Sequence, residues 1–197
     1  MLIEGRTATG EVAAFRVDSA GGIASGGSGT TAKVVGVEFT RPADTTAYAA
    51  KDVVSDSASA PTVGTVAGVV STAGGSGLIV KARLLTDQKT CTAQFRVHLY
   101  STAPTAKNDN DPFTFLYANA DKRIGAVDLP ACTTEDATNS TAAYASRPSS
   151  DGSSGVPNLL FKCASGSTTI YWILETLSAF TPASGQKFYL ELSSIPA

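Results

Sequence analysis

This sequence predicts an all-β fold, an antiparallel β-sandwich of jelly-roll-like type with an extended N-terminal arm. Short stretches in which apolar and polar residues alternate recur along the 197-residue chain, and turn signals separate them. The count is roughly nine to eleven strands, and no stretch carries a convincing amphipathic helix pattern. That combination is typical of sandwiches and jelly rolls and argues against an α/β fold.

The clearest strand signal lies in residues 78–100. Apolar residues occupy every second position on both sides of a short polar segment, 87–89. Two half-buried strands that flank a polar break predict a β-hairpin with one buried face. The opposite, polar face of this hairpin is a candidate contact surface, made of Lys81, Arg83, Gln94, Arg96 and His98.

Further strands are predicted on both sides of this hairpin. They comprise residues 11–18, 33–41, 62–71, 113–117, 123–129, 159–163, 168–177 and 187–192. Four apolar residues in 168–177 also fit a helical stripe, but the β-branched and aromatic residues there favour a strand. Residues 133–155 are polar and without periodicity, which predicts a surface excursion.

The first 32 residues differ in composition from the rest of the chain. One strand candidate is followed by a Gly/Ser-rich stretch, SAGGIASGGSGTT, which has the composition of a flexible linker. We therefore expect residues 1–32 to form an arm and linker and residues 33–197 to form the sandwich body. The alternative is that the stretch is a long surface loop of the same domain.

Composition excludes several classes of partner. Hydrophobic residues make up 43% of the chain and charged residues 16%, and the net charge of −2 argues against binding to nucleic acid. No apolar run is long enough to span a bilayer, so no membrane association is expected. The first residues lack the pattern of a signal peptide, which predicts a protein made and used without secretion.

Three cysteines are far apart in the sequence: Cys91, Cys132 and Cys163. Neither a C-x-x-C nor a Cys/His pattern is present, which argues against a zinc site. We expect buried free thiols in a reducing compartment. One pair could alternatively form a disulfide if the protein matures outside a cell.

Residues of the types that form active sites are scarce in this chain. We therefore predict no enzymatic activity and no catalytic, cofactor-binding or metal site. His98 is the only histidine, and its parity places it on the polar face of its strand, at a solvent or interface position. The Gly-rich segments match neither the G-x-S-x-G elbow nor the glycine frames that cradle phosphates.

Two weaker signals have alternatives. The run Asn108, Asp109, Asn110 and Asp111 brings oxygen ligands close together, as calcium requires, but it lacks the glycine and distal glutamate of an EF-hand. A plain Asx turn is the other interpretation. Tyr171 and Trp172 could stack on a sugar, but neighbours on a strand point to opposite faces, so one of them is expected in the core.

Five sequence segments resemble those of a known group of proteins: 49–56 (AAKDVVSD), 74–77 (GGSG), 79–88 (IVKARLLTDQ), 95–100 (FRVHLY) and 103–113 (APTAKNDNDPF). Together they resemble a family of small β-rich proteins encoded among the structural genes of tailed bacteriophages. Some of those proteins are capsid decoration or cement proteins, often with jelly-roll-like folds. The resemblance covers roughly residues 40–192 and implies a virion location, but it carries no site residues.

Three functional hypotheses follow. The first is a capsid decoration protein, made in the host cytoplasm, that forms a dimer or trimer on the capsid surface, binds the major capsid protein and stabilises the shell. The second is a head or tail fibre module that recognises host surface glycans. The third is a glycan hydrolase that uses two carboxylates from the set Asp87, Asp109, Asp111, Glu135 and Asp136. In the first hypothesis we expect the N-terminal arm to help attach the protein.

Overall fold

The computed structural model describes residues 2–6, 12–16, 31–134, 140–148 and 155–197. The chain divides into two compact units, Met1–Thr30 and Thr31–Ala197. In the first unit, β1 (Leu2–Arg6) and β2 (Val12–Arg16) pair as antiparallel strands. The predicted strand 11–18 therefore corresponds to β2, whereas β1 was not predicted.

The second unit contains ten of the described strands. They are β3 (Lys33–Thr40), β4 (Val53–Val54), β5 (Gly64–Val66), β6 (Ser76–Thr86), β7 (Gln94–Tyr100), β8 (Arg123–Ala131), β9 (Ala143–Arg147), β10 (Leu159–Lys162), β11 (Ile170–Thr176) and β12 (Lys187–Pro196). A short 3₁₀ helix, Tyr117–Asn119, precedes β8. In the described part of the chain, no helix has the length and hydropathy needed to cross a membrane.

These ten strands form two antiparallel sheets. The first sheet has the order β10-β6-β12-β3, and β9 also pairs with β6. The second sheet has the order β4-β11-β7-β8, and β5 also pairs with β11. The two sheets pack face to face, so the predicted all-β antiparallel sandwich is confirmed. The closer likeness to a jelly roll stays a prediction.

The core lies between the sheets and follows the alternation of the strands. Along β12 every second side chain is buried, and Phe188, Leu190 and Leu192 have no exposed surface. The Phe188 ring stacks on Phe39 of β3 and meets the edge of Phe95 from the second sheet, with ring centroids 5.5 and 5.6 Å apart. Each such side chain contributes about 1.5–3 kcal/mol by its burial.

The predicted hairpin over 78–100 is wrong. Its two strands exist as β6 and β7, but β6 pairs with β9, β10 and β12, whereas β7 pairs with β8 and β11. Residues 87–93 instead carry the chain from one sheet to the other, with Cys91 and Ala93 buried. Alternation shows that a strand has one buried face, but two strands that face each other across a sandwich have the same period as a hairpin.

This crossing divides the predicted contact surface. Lys81 and Arg83 lie on the outer face of the first sheet, while Gln94, Arg96 and His98 point away from the core on the second sheet. The five residues therefore do not form one surface, because the sheets turn their outer faces in opposite directions.

Three other predictions need correction. Residues 113–117 are not a strand, and the candidate over 62–71 is a strand only at Gly64–Val66. The predicted surface excursion over 133–155 contains β9, whose Ala143 and Ala145 are buried against the core. Alanine has too little apolar surface to mark a buried strand in a sequence, so β9 depends on its pairing with β6.

Candidate functional site

His98 is buried and is not at the solvent or interface position predicted for it. Only 2% of its surface is exposed, and its Nε2 atom lies 2.7 Å from Oε2 of Glu175 on the neighbouring strand β11. The ring stacks on Phe113, with centroids 3.9 Å apart. Its Nδ1 atom lies 3.3 Å from Nη2 of Arg123. Since a guanidinium only donates, Nδ1 accepts from Arg123 and Nε2 donates to Glu175.

The charges around this histidine keep it neutral. Burial, together with the positive charges of Arg123 and Arg96, lowers the pKa of His98 to about 3. Burial also raises the pKa of Glu175 above its ordinary value. The Arg96 guanidinium, 3.8 Å from Glu175, offsets part of the cost of the buried carboxylate and also binds Asp128, with Nη2 and Oδ2 2.8 Å apart.

This arrangement holds structure together and is poorly suited to catalysis. A general base works best when its pKa lies near the operating pH, and that of His98 is far below neutrality. Both ring nitrogens are already occupied, by Glu175 and Arg123, so neither is available to activate a hydroxyl group. The network fastens β7 to β11 and β8 on the outer side of the second sheet.

Parity correctly placed His98 on the outer face of its strand. It could not show that Phe113 covers the histidine there. The segment that carries Phe113 is pinned over the outer face because its amide donates to the carbonyl of Lys51, at 2.7 Å. A bridge between Asp52 and Pro112 holds the same segment. No local signal indicates this, since it arises from contacts between residues about sixty positions apart in the chain.

The run from Asn108 to Asp111 forms a turn, in which the Asp111 amide donates to the Asn108 carbonyl at 3.4 Å. Asp109 is 5% exposed and points inward, where it accepts hydrogen bonds from Tyr48 Oη at 2.6 Å and the Ser55 amide at 2.9 Å. Arg41, whose side chain is fully buried, donates to the same carboxylate at 3.2 Å. Among the described residues, no group of three or more His, Cys, Asp or Glu side chains could hold a metal.

The described carboxylates of the set proposed for a hydrolase accept hydrogen bonds from different partners. Asp87 accepts from the Lys187 amide at 2.9 Å, and Asp111 accepts from the Asn108 side chain at 2.9 Å. Asp109 is committed to Arg41 and Tyr48. Glu135 and Asp136 lie outside the described residues. The sequence offered no sign of the buried pair of Arg41 and Asp109, since the two residues are far apart in the chain.

The three cysteines are free and buried, as predicted. A side-chain hydrogen bond with Cys132 lowers the pKa of the Cys91 thiol. The same hydrogen bond, together with burial, raises the pKa of Cys132. The sequence could not show this contact, because Cys91 lies between β6 and β7 and Cys132 follows β8.

The expectation for the adjacent aromatic residues is confirmed. Trp172 is 3% exposed and belongs to the core, and its ring lies 5.5 Å from that of Phe39. Tyr171 points to the other face of β11, where it packs beside Tyr100 and Val53. The two rings therefore do not form one stacking platform for a sugar.

The first sheet exposes aliphatic side chains on its outer face, where polar ones are usual. We call the set Val34, Leu78, Ile195 and Leu160 the aliphatic row; it crosses β3, β6, β10 and β12. Leu160 is 75% exposed, Val34 64% and Ile195 41%. Leu78 faces Leu160 on one side and Ile195 on the other, so three of the four side chains are in register. Neighbouring strands are about 4.8 Å apart, so the row is about 14 Å wide.

Such a row is a candidate interaction surface. Single exposed apolar residues are normal, whereas contiguous ones mark contact sites. Charged residues lie beside it: Lys162 and Lys81 flank Leu160 and Leu78, and Arg83 pairs with Glu191 at 2.8 Å. No protein-family model matches the chain, and comparison with curated proteins gives no match.

Proposed function

We propose that this chain is a structural protein of a tailed-bacteriophage virion, a capsid decoration protein that binds the shell of the major capsid protein and stabilises it. The aliphatic row carries the proposal, because it is an apolar strip on the outer face of a sandwich whose buried charged residues bond to one another. The resemblance of residues 40–192 to phage structural proteins supports the virion location. Self-association as a dimer or trimer belongs to the same proposal.

The chemistry around the row suits attachment to a protein surface. An interface typically has an apolar centre and a polar rim. Leu160, Leu78 and Ile195 form the centre, while Lys81 and Lys162 provide a cationic rim. A capsid partner would present apolar side chains edged by carboxylates. Repetition over a shell multiplies a modest contact into firm attachment.

Two measurements on purified particles test this proposal. Quantitative mass spectrometry should find many copies spread over the shell, and a few copies at a single vertex would overturn it. A Leu160→Ser variant should keep its circular dichroism spectrum, since Leu160 is 75% exposed, and should lower capsid occupancy about tenfold. A matched Leu116→Ser variant, in the segment after the turn at Asn108 to Asp111, should keep full occupancy. Unchanged occupancy of Leu160→Ser would contradict the assignment of the row.

One observation favours the second candidate, a fibre module that binds host glycans. Tyr117 is 91% exposed at the start of the 3₁₀ helix, and Phe115 beside it is 42% exposed. The Arg123 guanidinium lies over the Phe115 ring, 4.8 Å from its centroid. Exposed aromatic faces are suited to stacking on sugar rings. Binding of the isolated protein to a glycan array, lost in Tyr117→Ala and kept in Leu160→Ser, would favour this function over decoration.

A further inference from the structure

A pocket opens at one edge of the sandwich, away from the aliphatic row. Residues of β3 in the first sheet and of β4, β5 and β11 in the second line it, and its volume is about 140 Å³. A cavity of similar size, about 150 Å³, holds a benzene molecule in another protein. The pocket therefore has room for one small ring compound.

The walls are apolar and the mouth is polar. Val37, Phe39, Val54, Val63 and Leu174 supply the walls. At the mouth, Asp56 accepts hydrogen bonds from the amide and hydroxyl of Thr62, and Lys107 donates to Thr114 at 2.7 Å. A third charged lining residue, Glu38, pairs with Lys187 at 3.1 Å. Since the charged lining residues all have partners, the pocket favours an uncharged ligand.

One polar atom in the pocket wall lacks a partner. Trp172 is 3% exposed, and its indole Nε1–H makes no hydrogen bond within the described structure. Nearly all buried donors in proteins are paired, so an orphan donor requires an explanation. The indole ring packs directly on Gly64, which also lines the pocket. A Cβ atom at Gly64 would be 2.3 Å from Cε2 and 2.6 Å from Nε1 of that ring.

We propose that this pocket binds a small uncharged aromatic molecule that carries one hydrogen-bond acceptor. The ring lies between the sheets against Phe39 and Trp172, and its acceptor receives the indole N–H. Gly64 is needed because any side chain there would collide with the indole ring that lines the pocket. The proposal is independent of the decoration function, since none of the lining residues belongs to the aliphatic row.

Phenol and toluene form a matched pair of probes, because they share size and ring but only phenol has the acceptor. Trp172 is the single tryptophan of the chain, so one indole N–H signal reports on the pocket in the NMR spectrum. Phenol should shift that signal and bind about five- to tenfold more tightly than toluene. Equal binding of the two probes, or no shift of the indole signal at saturation, would overturn the proposal.

A pair of variants separates the pocket from non-specific binding. Val63→Phe fills the pocket and should abolish the phenol shift. Val34→Phe makes the same change on the exposed outer face and should leave phenol binding intact. A Val63→Phe protein that is folded and still binds phenol at this site would refute the proposal. If that variant does not fold, the comparison of phenol with toluene on the unmodified protein decides.

Discussion

The outer faces of the two sheets are built in opposite ways. On the first sheet, aliphatic side chains are exposed to solvent. The ion pair between Arg83 and Glu191 on that sheet is partly exposed as well, since the Arg83 side chain is 36% exposed. On the second sheet a charged network is hidden beneath Phe113, and His98 and Glu175 are both nearly inaccessible. Thus the first sheet exposes apolar side chains on its outer face, whereas the second sheet buries polar ones there. A polar residue on an outer face is not necessarily at the surface, because a loop can cover it.

The largest effect is expected from removing the buried donor on the second sheet. His98→Leu leaves the Glu175 carboxylate buried without its 2.7 Å partner, which should lower the free energy of unfolding by about 3 kcal/mol or more. Arg83→Leu is the matched change on the first sheet and should cost about 1 kcal/mol or less, since water reaches its partner. Urea denaturation at neutral pH measures both.

A double variant sharpens that comparison. His98→Leu combined with Glu175→Leu removes the stranded charge and should recover most of the lost stability, since an apolar pair often replaces a buried polar pair at little cost. A double variant as unstable as His98→Leu alone would show that the loss comes from packing rather than from the carboxylate.

The next effect is a dependence of stability on pH. The folded pKa of His98, about 3, lies below its ordinary value of 6.5, so the unfolded chain takes up the proton first as the pH falls. The contribution of His98 to the free energy of unfolding should therefore fall by about 2–3 kcal/mol between about pH 6.5 and about pH 4.5. The raised pKa of Glu175 acts in the opposite direction in the same range.

The variant His98→Gln isolates this contribution. Glutamine keeps a donor for Glu175 but does not titrate, and Glu175 remains in both proteins. Denaturation curves across the pH range should show a smaller loss on acidification in the variant. If both proteins lose the same amount, His98 is not the group responsible.

The smallest effect concerns the cover itself. Phe113→Ala exposes the His98 ring, so the pKa of His98 should rise toward its ordinary value, as histidine NMR titration will show. The free energy of unfolding should fall by about 1–2 kcal/mol, because Phe113 is only partly buried. Tyr117→Ala, at a side chain that is 91% exposed, should change neither quantity by more than about 0.5 kcal/mol or a few tenths of a pKa unit.

Parts of the candidate sites were predictable from local patterns. The alternation along β7 predicted which of its side chains face the core, and parity correctly placed His98 away from the core and Tyr171 opposite Trp172. Local turn chemistry also identified the turn at Asn108 to Asp111. The aliphatic row was not predicted, because it joins single residues from four strands that are distant in the sequence.

By itself, the sequence determined the all-β class and most of the strand positions, and it favoured free, buried cysteines over a disulfide. Those properties depend on the side-chain period and on residue type, which are local. Only the tertiary structure decided that β6 and β7 belong to different sheets, that Phe113 covers His98, and that an orphan indole N–H lines a pocket. Each of these depends on which strands become neighbours, and the period of two is the same for every choice of partner.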